Sequence, residues 1–290
     1  MKELVVISGK GGTGKTTVTA ALAALTPNKV LADCDVDAAD LHLILDPTVG
    51  RTVDFYSGEI ATIDPDACTQ CGLCAEHCRY DAITEDFTVQ KEHCEGCGVC
   101  AFVCPVQAAT MQERMCGYWY DSTTRFGHMV HANLGIGEEN SGKLVTTVRK
   151  EARATAEKLS ADLILTDGPP GVGCPVIASL GGTDLTLAVA EPTLSALHDL
   201  KRVYKLSRHF KVPMMVIINK ADINAAIVEE IKCWCEEYDV EIAGVLPYDQ
   251  VVTTAQIHGK SIVEYDPDGL GLTMRTIWDN VSRRLFADKA

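Results

Sequence analysis

The 290-residue sequence contains no apolar run long enough to cross a bilayer. Its longest hydrophobic stretches, such as Leu4–Ile7 and Met214–Ile218, are strand-length, far short of the roughly 20 residues of a spanning helix. No hydrophobic leader stands at the N-terminus, where Met1 passes at once into a buried-strand pattern, so no signal peptide is expected. Val281–Ala290 is only weakly amphipathic, which argues against membrane attachment through that segment. Basic tracts are missing too. Against 26 Lys and Arg stand 40 Asp and Glu, a formal charge of −14, and a nucleic-acid surface needs clustered cations to neutralise phosphates. No nucleic-acid or membrane partner is therefore expected. Nor is there a Ser-His-Asp arrangement or a second cofactor fingerprint that would mark a small-molecule enzyme.

Cysteine, by contrast, is abundant: 13 residues, eight of them between Cys68 and Cys104. Without an export signal, such a density points to metal ligation in a reducing, cytoplasmic setting rather than to disulfides. The cysteine block also divides the chain. Before it, Glu3–Ser8 reads as a buried parallel strand, followed by a glycine-rich turn, a helix from about Gly14 to Leu25, and a strand over Asn28–Ala32. Asp46–Ile63 reads as irregular. Arg114–Asn133 reads as strands or a long loop, and Ser141 as the N-cap of a helix reaching about Leu159. Strands at Leu163–Thr166, Asp184–Ala190, Met214–Asn219 and Val240–Leu246 then alternate with helices at Thr193–Phe210 and Ala225–Tyr238, and a C-terminal helix follows. This alternation predicts an α/β fold, a mostly parallel doubly wound sheet, interrupted by a small cysteine-rich domain. The expected boundaries are residues 1–60 and 113–290 for the two parts of the α/β domain and 61–112 for the insert.

Gly9-Lys10-Gly11-Gly12-Thr13-Gly14-Lys15-Thr16 satisfies G-x-x-x-x-G-K-[ST] between a strand and a helix, with Thr17 next in line. Backbone N–H groups of such a loop cradle phosphates at a helix N-terminus. Lys15 is expected to reach the β- and γ-phosphates, and the Thr16 hydroxyl to bind Mg²⁺. Asp35, after the second strand, and Asp167, after Leu163–Thr166, lie where such sheets bind ligands, at the C-terminal ends of parallel strands. Asn219-Lys220-Ala221-Asp222 follows another strand and is expected to read the base through Asn219 and Asp222. N-K-x-D resembles the guanine-reading motif of GTPases, which leaves GTP open beside ATP.

The extra lysine, Lys10, in K-G-G-T-G-K-T resembles the deviant Walker A of the MinD/ParA and nitrogenase iron protein superfamily. That resemblance implies a homodimer with nucleotide at its interface and Lys10 acting in trans, ATP with Mg²⁺ as the substrate, Asp35 as the switch I residue that positions the attacking water, and Asp167 near Mg²⁺. Lys10, Lys15 and Asp35 are thus the expected catalytic residues.

Cys68-x₂-Cys71-x₂-Cys74-x₃-Cys78 and Cys94-x₂-Cys97-x₂-Cys100-x₃-Cys104-Pro105 repeat one pattern, within the repeat halves Cys68–Ile83 and Cys94–Ala109. In this doubled bacterial ferredoxin run the fourth cysteine of each half ligates the other cluster. One [4Fe–4S] cluster is therefore assigned to Cys68, Cys71, Cys74 and Cys104, the other to Cys78, Cys94, Cys97 and Cys100. Gly72, Gly96 and Gly98 are expected to let backbone approach the clusters. Arg79 follows Cys78 where proline would be usual, placing a cation beside a cluster. C-x-x-C pairs also build zinc sites, but the doubled arrangement favours cubanes.

Of the remaining cysteines, Cys174 has two readings: a packed core residue, or, with Cys116, a ligand to a cluster bridging a two-fold dimer. The second rests on resemblance to the nitrogenase iron protein. Cys233 and Cys235 read as packing, and His128 and His131 as surface or packing histidines. Over the whole chain the sequence resembles MinD-superfamily ATPases with an inserted ferredoxin domain. That implies an ATPase coupled to electron transfer toward an unidentified redox or cofactor-maturation client. The alternatives are a metallocofactor-assembly ATPase and a MinD-like partner-positioning ATPase with structural clusters.

Overall fold

The computed structural model describes residues 1–135, 138 and 141–287. The chain divides into two compact units. The larger comprises Met1–Val53, Trp119–Asn133 and Ser141–Ala290, the smaller Asp54–Tyr118 with the described residues of Leu134–Asn140.

The large unit grows from β1 (Lys2–Ser8), whose side chains alternate between two cores. Leu4 and Val6 enter one core with Val18, Leu22, Ile277 and Val281, while Val5 and Ile7 enter the other with Leu200, Val203 and Ile231. A strand buried on both faces reads as a continuous apolar run, and helices must cover each side. On one side lie α1 (Lys15–Leu25) and α11 (Leu270–Phe286). On the other lie α6 (Cys174–Leu180), α7 (Leu194–His209) and α8 (Ala225–Glu237). Truncating any fully buried branched side chain here to Ala should cost about 2–5 kcal/mol.

β1 pairs in parallel with β6 (Leu163–Pro170) and β7 (Leu185–Ala190). β2 (Lys29–Asp33) pairs in parallel with β5 (Gly127–Leu134) and β6, and β8 (Met214–Ile218) with β7 and β9 (Glu241–Val245). With β3 (Thr48–Ile63) and β4 (Ala109–Thr124), the sheet order is β3-β4-β5-β2-β6-β1-β7-β8-β9. β1 is thus flanked by later strands on both sides, a switch in strand order of the kind that opens a crevice for ligand. None of the described helices is long and apolar enough to cross a membrane.

Three expectations change, and one left open is resolved. Asp46–Ile63 is not irregular: α2 (Leu41–Leu45) ends at Asp46 and the 16-residue strand β3 follows. Its first five residues are exposed, and from Val53 on burial alternates but places Ser57 and Ala61 inside and Tyr56 outside, so the sequence lacks the hydropathy alternation that betrays a strand. The 114–133 segment is strand, not loop. Ser141 is the first residue of α5 (Ser141–Leu159) rather than its cap; the preceding position and the tail 288–290 lie outside the described residues. The C-terminal segment is three helices, with α9 (Gln250–Ile257) and α10 (Ile262–Tyr265) before α11.

His131 on β5 is 7% exposed, stacked 4.8 Å from the Tyr120 ring, with Nε2 2.9 Å from Ser122 Oγ. Burial, and then the nearby His42 ring, lower its pKa to about 4. It packs. The half-exposed His128 lies 3.9 Å from Asp121. Because His131 takes up its proton at lower pH when folded than when unfolded, its contribution to stability is intact above about 6.5 and lost as pH falls toward 4. A thermal-melt series from pH 7 to pH 4.5 should show His131→Gln losing less of its melting temperature on acidification than the wild type. Parallel profiles would show that His131 is not buried neutral.

Candidate nucleotide and thiol sites

The phosphate loop leaves β1 at Ser8 and enters α1 at Lys15, with Gly12 and Gly14 at positive φ. Gly14 has φ 93°, and a Cβ there would come within 2.4 Å of the Asn219 amide nitrogen. That nitrogen donates to the Thr13 carbonyl at 2.8 Å, so Asn219 buttresses the loop from β8. Lys220 adds a second tether, Nζ donating to the Gly12 carbonyl at 2.9 Å.

Behind the loop one ammonium faces three carboxyls. Lys15 Nζ lies 2.9 Å from Asp35 Oδ2 and 3.6 Å from Asp167 Oδ1. Thr16 Oγ1 donates to Asp167 Oδ2 at 2.7 Å, and the Thr19 hydroxyl lies 2.9 Å from Oδ1 of the same carboxylate. Asp33 is cross-strand neighbour to Asp167 in the β2–β6 register, fully buried, and its Oδ2 has no partner. Burial opposes the charge on Lys15, but Asp167, Asp35 and Asp33 outweigh it and raise its pKa. Burial and then the Asp167 charge push the Asp33 carboxyl well above its usual range, and burial also raises Asp35, against the pull of Lys15. The Thr13 hydroxyl is likewise buried without a partner. Orphaned polar atoms and surplus negative charge suit a divalent cation with a polyphosphate in front of it.

Lys10 is held on its own chain. Its Nζ lies 2.5 Å from Glu191 Oε1 and 3.3 Å from Thr193 Oγ1, and Lys220 Nζ grips the other Glu191 oxygen at 3.2 Å. Burial would raise the Glu191 carboxyl, but the two ammonium groups overcome it and hold it below its usual range.

A cavity of about 450 Å³ opens beside the loop, lined by Gly11, Gly12, Gly14 and Lys15–Thr17, by Asp35, and by Asn219, Tyr248, Asp249 and Gln256. This is the size of a cofactor site. Thr17 receives a hydrogen bond from Gln256 at 2.8 Å. Asp222 bears on the cavity through Tyr248, whose backbone N–H donates to it at 2.5 Å. Tyr248, Asp249 and Gln256, from the β9–α9 region, carry no motif, and sequence reasoning missed them. A roomier cavity of about 530 Å³ lies in the small unit, lined by β3 and β4 residues and the 86–91 segment.

In the small unit, Cys68, Cys71, Cys74 and Cys104 line one cavity, and Cys78, Cys94, Cys97 and Cys100 line a second. Gly72 and Gly98, at φ 80° and 75°, start α3 (Leu73–Glu76) and α4 (Val99–Val103), and a Cβ on either would meet open space. Gly96 serves differently: a Cβ there would lie 2.2 Å from the Glu59 carbonyl, so it answers to β3. Burial raises the Cys74 and Cys100 thiols, whereas the backbone N–H of Ala109 lowers that of Cys104. No three His, Cys, Asp or Glu side chains among the described residues are grouped closely enough to hold a single metal ion. Cys116 is buried, its thiol donating to the Ser57 carbonyl at 3.1 Å, and Cys174 is exposed. Cys235 is buried and Cys233 exposed.

The sequence profile of the CobQ/CobB/MinD/ParA nucleotide binding domain matches residues 4–262. The chain belongs to that family. It is a MinD/ParA-like P-loop ATPase. An uncharacterised protein of Methanocaldococcus jannaschii is 36% identical over 225 residues, 77% of this chain and 79% of its own. The sporulation initiation inhibitor protein Soj of Bacillus subtilis is 25% identical over 144 residues, 44% of this chain and 56% of its own. In fold, the septum site-determining protein MinD of Pyrococcus horikoshii, solved with Mg-ADP, superposes with TM-score 0.59 at 20% identity, covering 97% of this chain and 96% of that one. McdA from Cyanothece, solved with ATP, gives TM-score 0.58 at 17% identity, covering 97% and 96%.

Removing the Asn219 buttress strands the Thr13 carbonyl, a cost of about 1–3 kcal/mol, or roughly 5- to 150-fold in an equilibrium constant. Asn219→Ala should weaken binding of a fluorescent ATP analogue within that range, and Gly14→Ala should abolish it. Unchanged affinity in Gly14→Ala would remove the loop from the nucleotide site.

Proposed function

We propose that this ATPase is an iron–sulfur protein, a nucleotide-switched homodimer that couples ATP hydrolysis to electron transfer through two [4Fe–4S] clusters toward a client protein. The observation that carries the proposal is the sorting of eight thiols four and four. Each cavity takes three cysteines from one half of the repeat and the fourth from the other, the exchange that two-cluster ferredoxins make. Cys68, Cys71, Cys74 and Cys104 would hold one cluster, and Cys78, Cys94, Cys97 and Cys100 the other, within an insert of about residues 61–112. A zinc ion would need its thiolates at about 2.3 Å from one point. Thiols spread around a cavity, with open space over Gly72 and Gly98, suit a polynuclear group better. When bound, the clusters supply one-electron storage and transfer.

On the nucleotide side, the amides of Gly9–Thr16 receive the phosphates of ATP, and Lys15 turns from Asp35 toward the β- and γ-phosphates. Thr16 and Asp167 hold Mg²⁺. Asp35, released from Lys15, orients the attacking water. Asn219 fixes the loop while Asp222, through Tyr248, shapes the far wall where the base lies. In the dimer Lys10 leaves Glu191 for the partner's nucleotide, where it stabilises charge developing on the transferred phosphoryl group. The switch carboxylate Asp35 and the first cluster cysteine, Cys68, are separated in sequence by α2 and β3 alone, which favours coupling between nucleotide state and insert.

A second reading, a partner-positioning ATPase with structural clusters, draws support from the likeness to Soj and MinD. The assembly reading has less behind it, because the buried, hydrogen-bonded Cys116 is poorly placed to bind a transferable cluster.

Protein purified without oxygen should contain about eight iron atoms per chain, falling by about half in Cys104→Ala, and Cys174→Ala should leave the count unchanged. ATP should shift the electron paramagnetic resonance signal of the reduced clusters; a signal indifferent to nucleotide favours the positioning reading, and colourless protein ends both. Lys10→Ala should still bind ATP yet lose nucleotide-dependent dimerisation and at least about 100-fold of its turnover. Full turnover by that variant would place the lysine outside the chemistry.

A further inference from the structure

The short helix α4 has no buried residue, although four of its five side chains are apolar or aromatic. Phe102, on that helix, is 90% exposed, more than any other large hydrophobic side chain among the described residues. Tyr80, Val99 and Val106 are exposed too. All four stand within two residues of a cavity-lining thiol. Tyr80 and Val99 border the cavity of Cys78, Cys94, Cys97 and Cys100, and Val106 borders the other. α4 joins the two, carrying Cys100 and ending at Cys104. Turning Cys100 into its cavity forces the residue two positions on to face away, since such neighbours do not share a helix face. That explains why position 102 is outside, but a polar side chain would serve equally there. Single exposed apolar residues are ordinary; three that border the two thiol cavities, with Phe102 on the helix that joins those cavities, are more than that.

The surroundings say what the patch fits. Residues 54–118 hold 11 Asp and Glu against 3 Lys and Arg. Two such acidic surrounds brought face to face would repel each other, and the same charge would repel an anionic membrane or a nucleic acid. We propose that Phe102 is the anchor of a docking surface for a basic redox protein, one that offers an apolar recess ringed by Lys and Arg. The acidic surround steers the encounter, and the aromatic ring, seated in the recess, fixes the complex near both thiol cavities. Calling the partner a redox protein rests on the cluster reading above; the docking surface itself does not.

Cytochrome c, a basic protein with a lysine-ringed apolar haem edge, serves as the probe. Calorimetric titration into the full chain, with both proteins oxidised so that no electron moves, reads binding alone. Affinity should fall at least about tenfold between about 20 and about 300 mM salt. Phe102→Ser should weaken binding at least about tenfold at each salt concentration, with Phe102→Leu between the two. Iron content, ATPase rate and oligomeric state should match the wild type in both variants. Equal affinity in Phe102→Ser overturns the proposal. So does loss of self-association in that variant, which would mean that a second copy covers the ring, or loss of iron, which would make it structural. An iron-free wild type that still binds the probe through Phe102 would refute the cluster reading and keep the surface.

Discussion

One ammonium set among three carboxyls governs the nucleotide site. Two unit charges about 4 Å apart interact by roughly 4 kcal/mol at an effective dielectric constant of about 20, several times the net worth of a hydrogen bond. Charge, not hydrogen bonding, therefore decides how the crevice is arranged without ligand. Lys15 balances one carboxylate, and the excess falls on Asp33, whose burial beside Asp167 pushes its carboxyl well above the usual range. The parallel pairing of β2 with β6 brings those two acids into register, so the electrostatic demand is written into the sheet. A divalent cation would answer that demand, and in the proposed mechanism phosphate then takes over Lys15.

Around this centre the loop is braced rather than free. Asn219 and Lys220 reach back to the carbonyls of Thr13 and Gly12, so the segment that resembles a base-reading motif holds the phosphate loop in shape. Glu191 holds Lys10 and Lys220 at once. Any event that draws Lys10 elsewhere leaves Lys220 as the sole counter-charge of Glu191, and Lys220 is also a brace of the loop. Engagement of Lys10 and loop geometry are thereby linked through a single carboxylate.

Local chemistry was legible in the sequence. The spacing of Gly9–Thr16, the acids at the ends of β2 and β6, and the doubled cysteine run each declare themselves because their geometry is short-range. β1, β6, β7 and β8 were legible because burial on both faces leaves unbroken apolar runs. β3 was not: Phe55, Ser57 and Ala61 are buried on one face, but two of the three are small while Tyr56 and Ile60 fall on the other face, so hydropathy does not alternate with burial. Tyr248, Asp249 and Gln256 escaped for another reason. They reach the cavity only because β9 returns beside β8, a relation between distant segments that no local pattern encodes.

The crossed membership of the two thiol cavities has a consequence for how the small unit matures. Neither half of the repeat owns a complete set, since Cys104 completes the first cavity and Cys78 the second. An N-terminal fragment emerging from the ribosome with only Cys68 to Cys78 has three partners for one site and an orphan for the other. Neither cavity has its four thiols until the polypeptide has extended to Cys100, and the first waits for Cys104, so on the proposed reading cluster capture would follow synthesis of both halves.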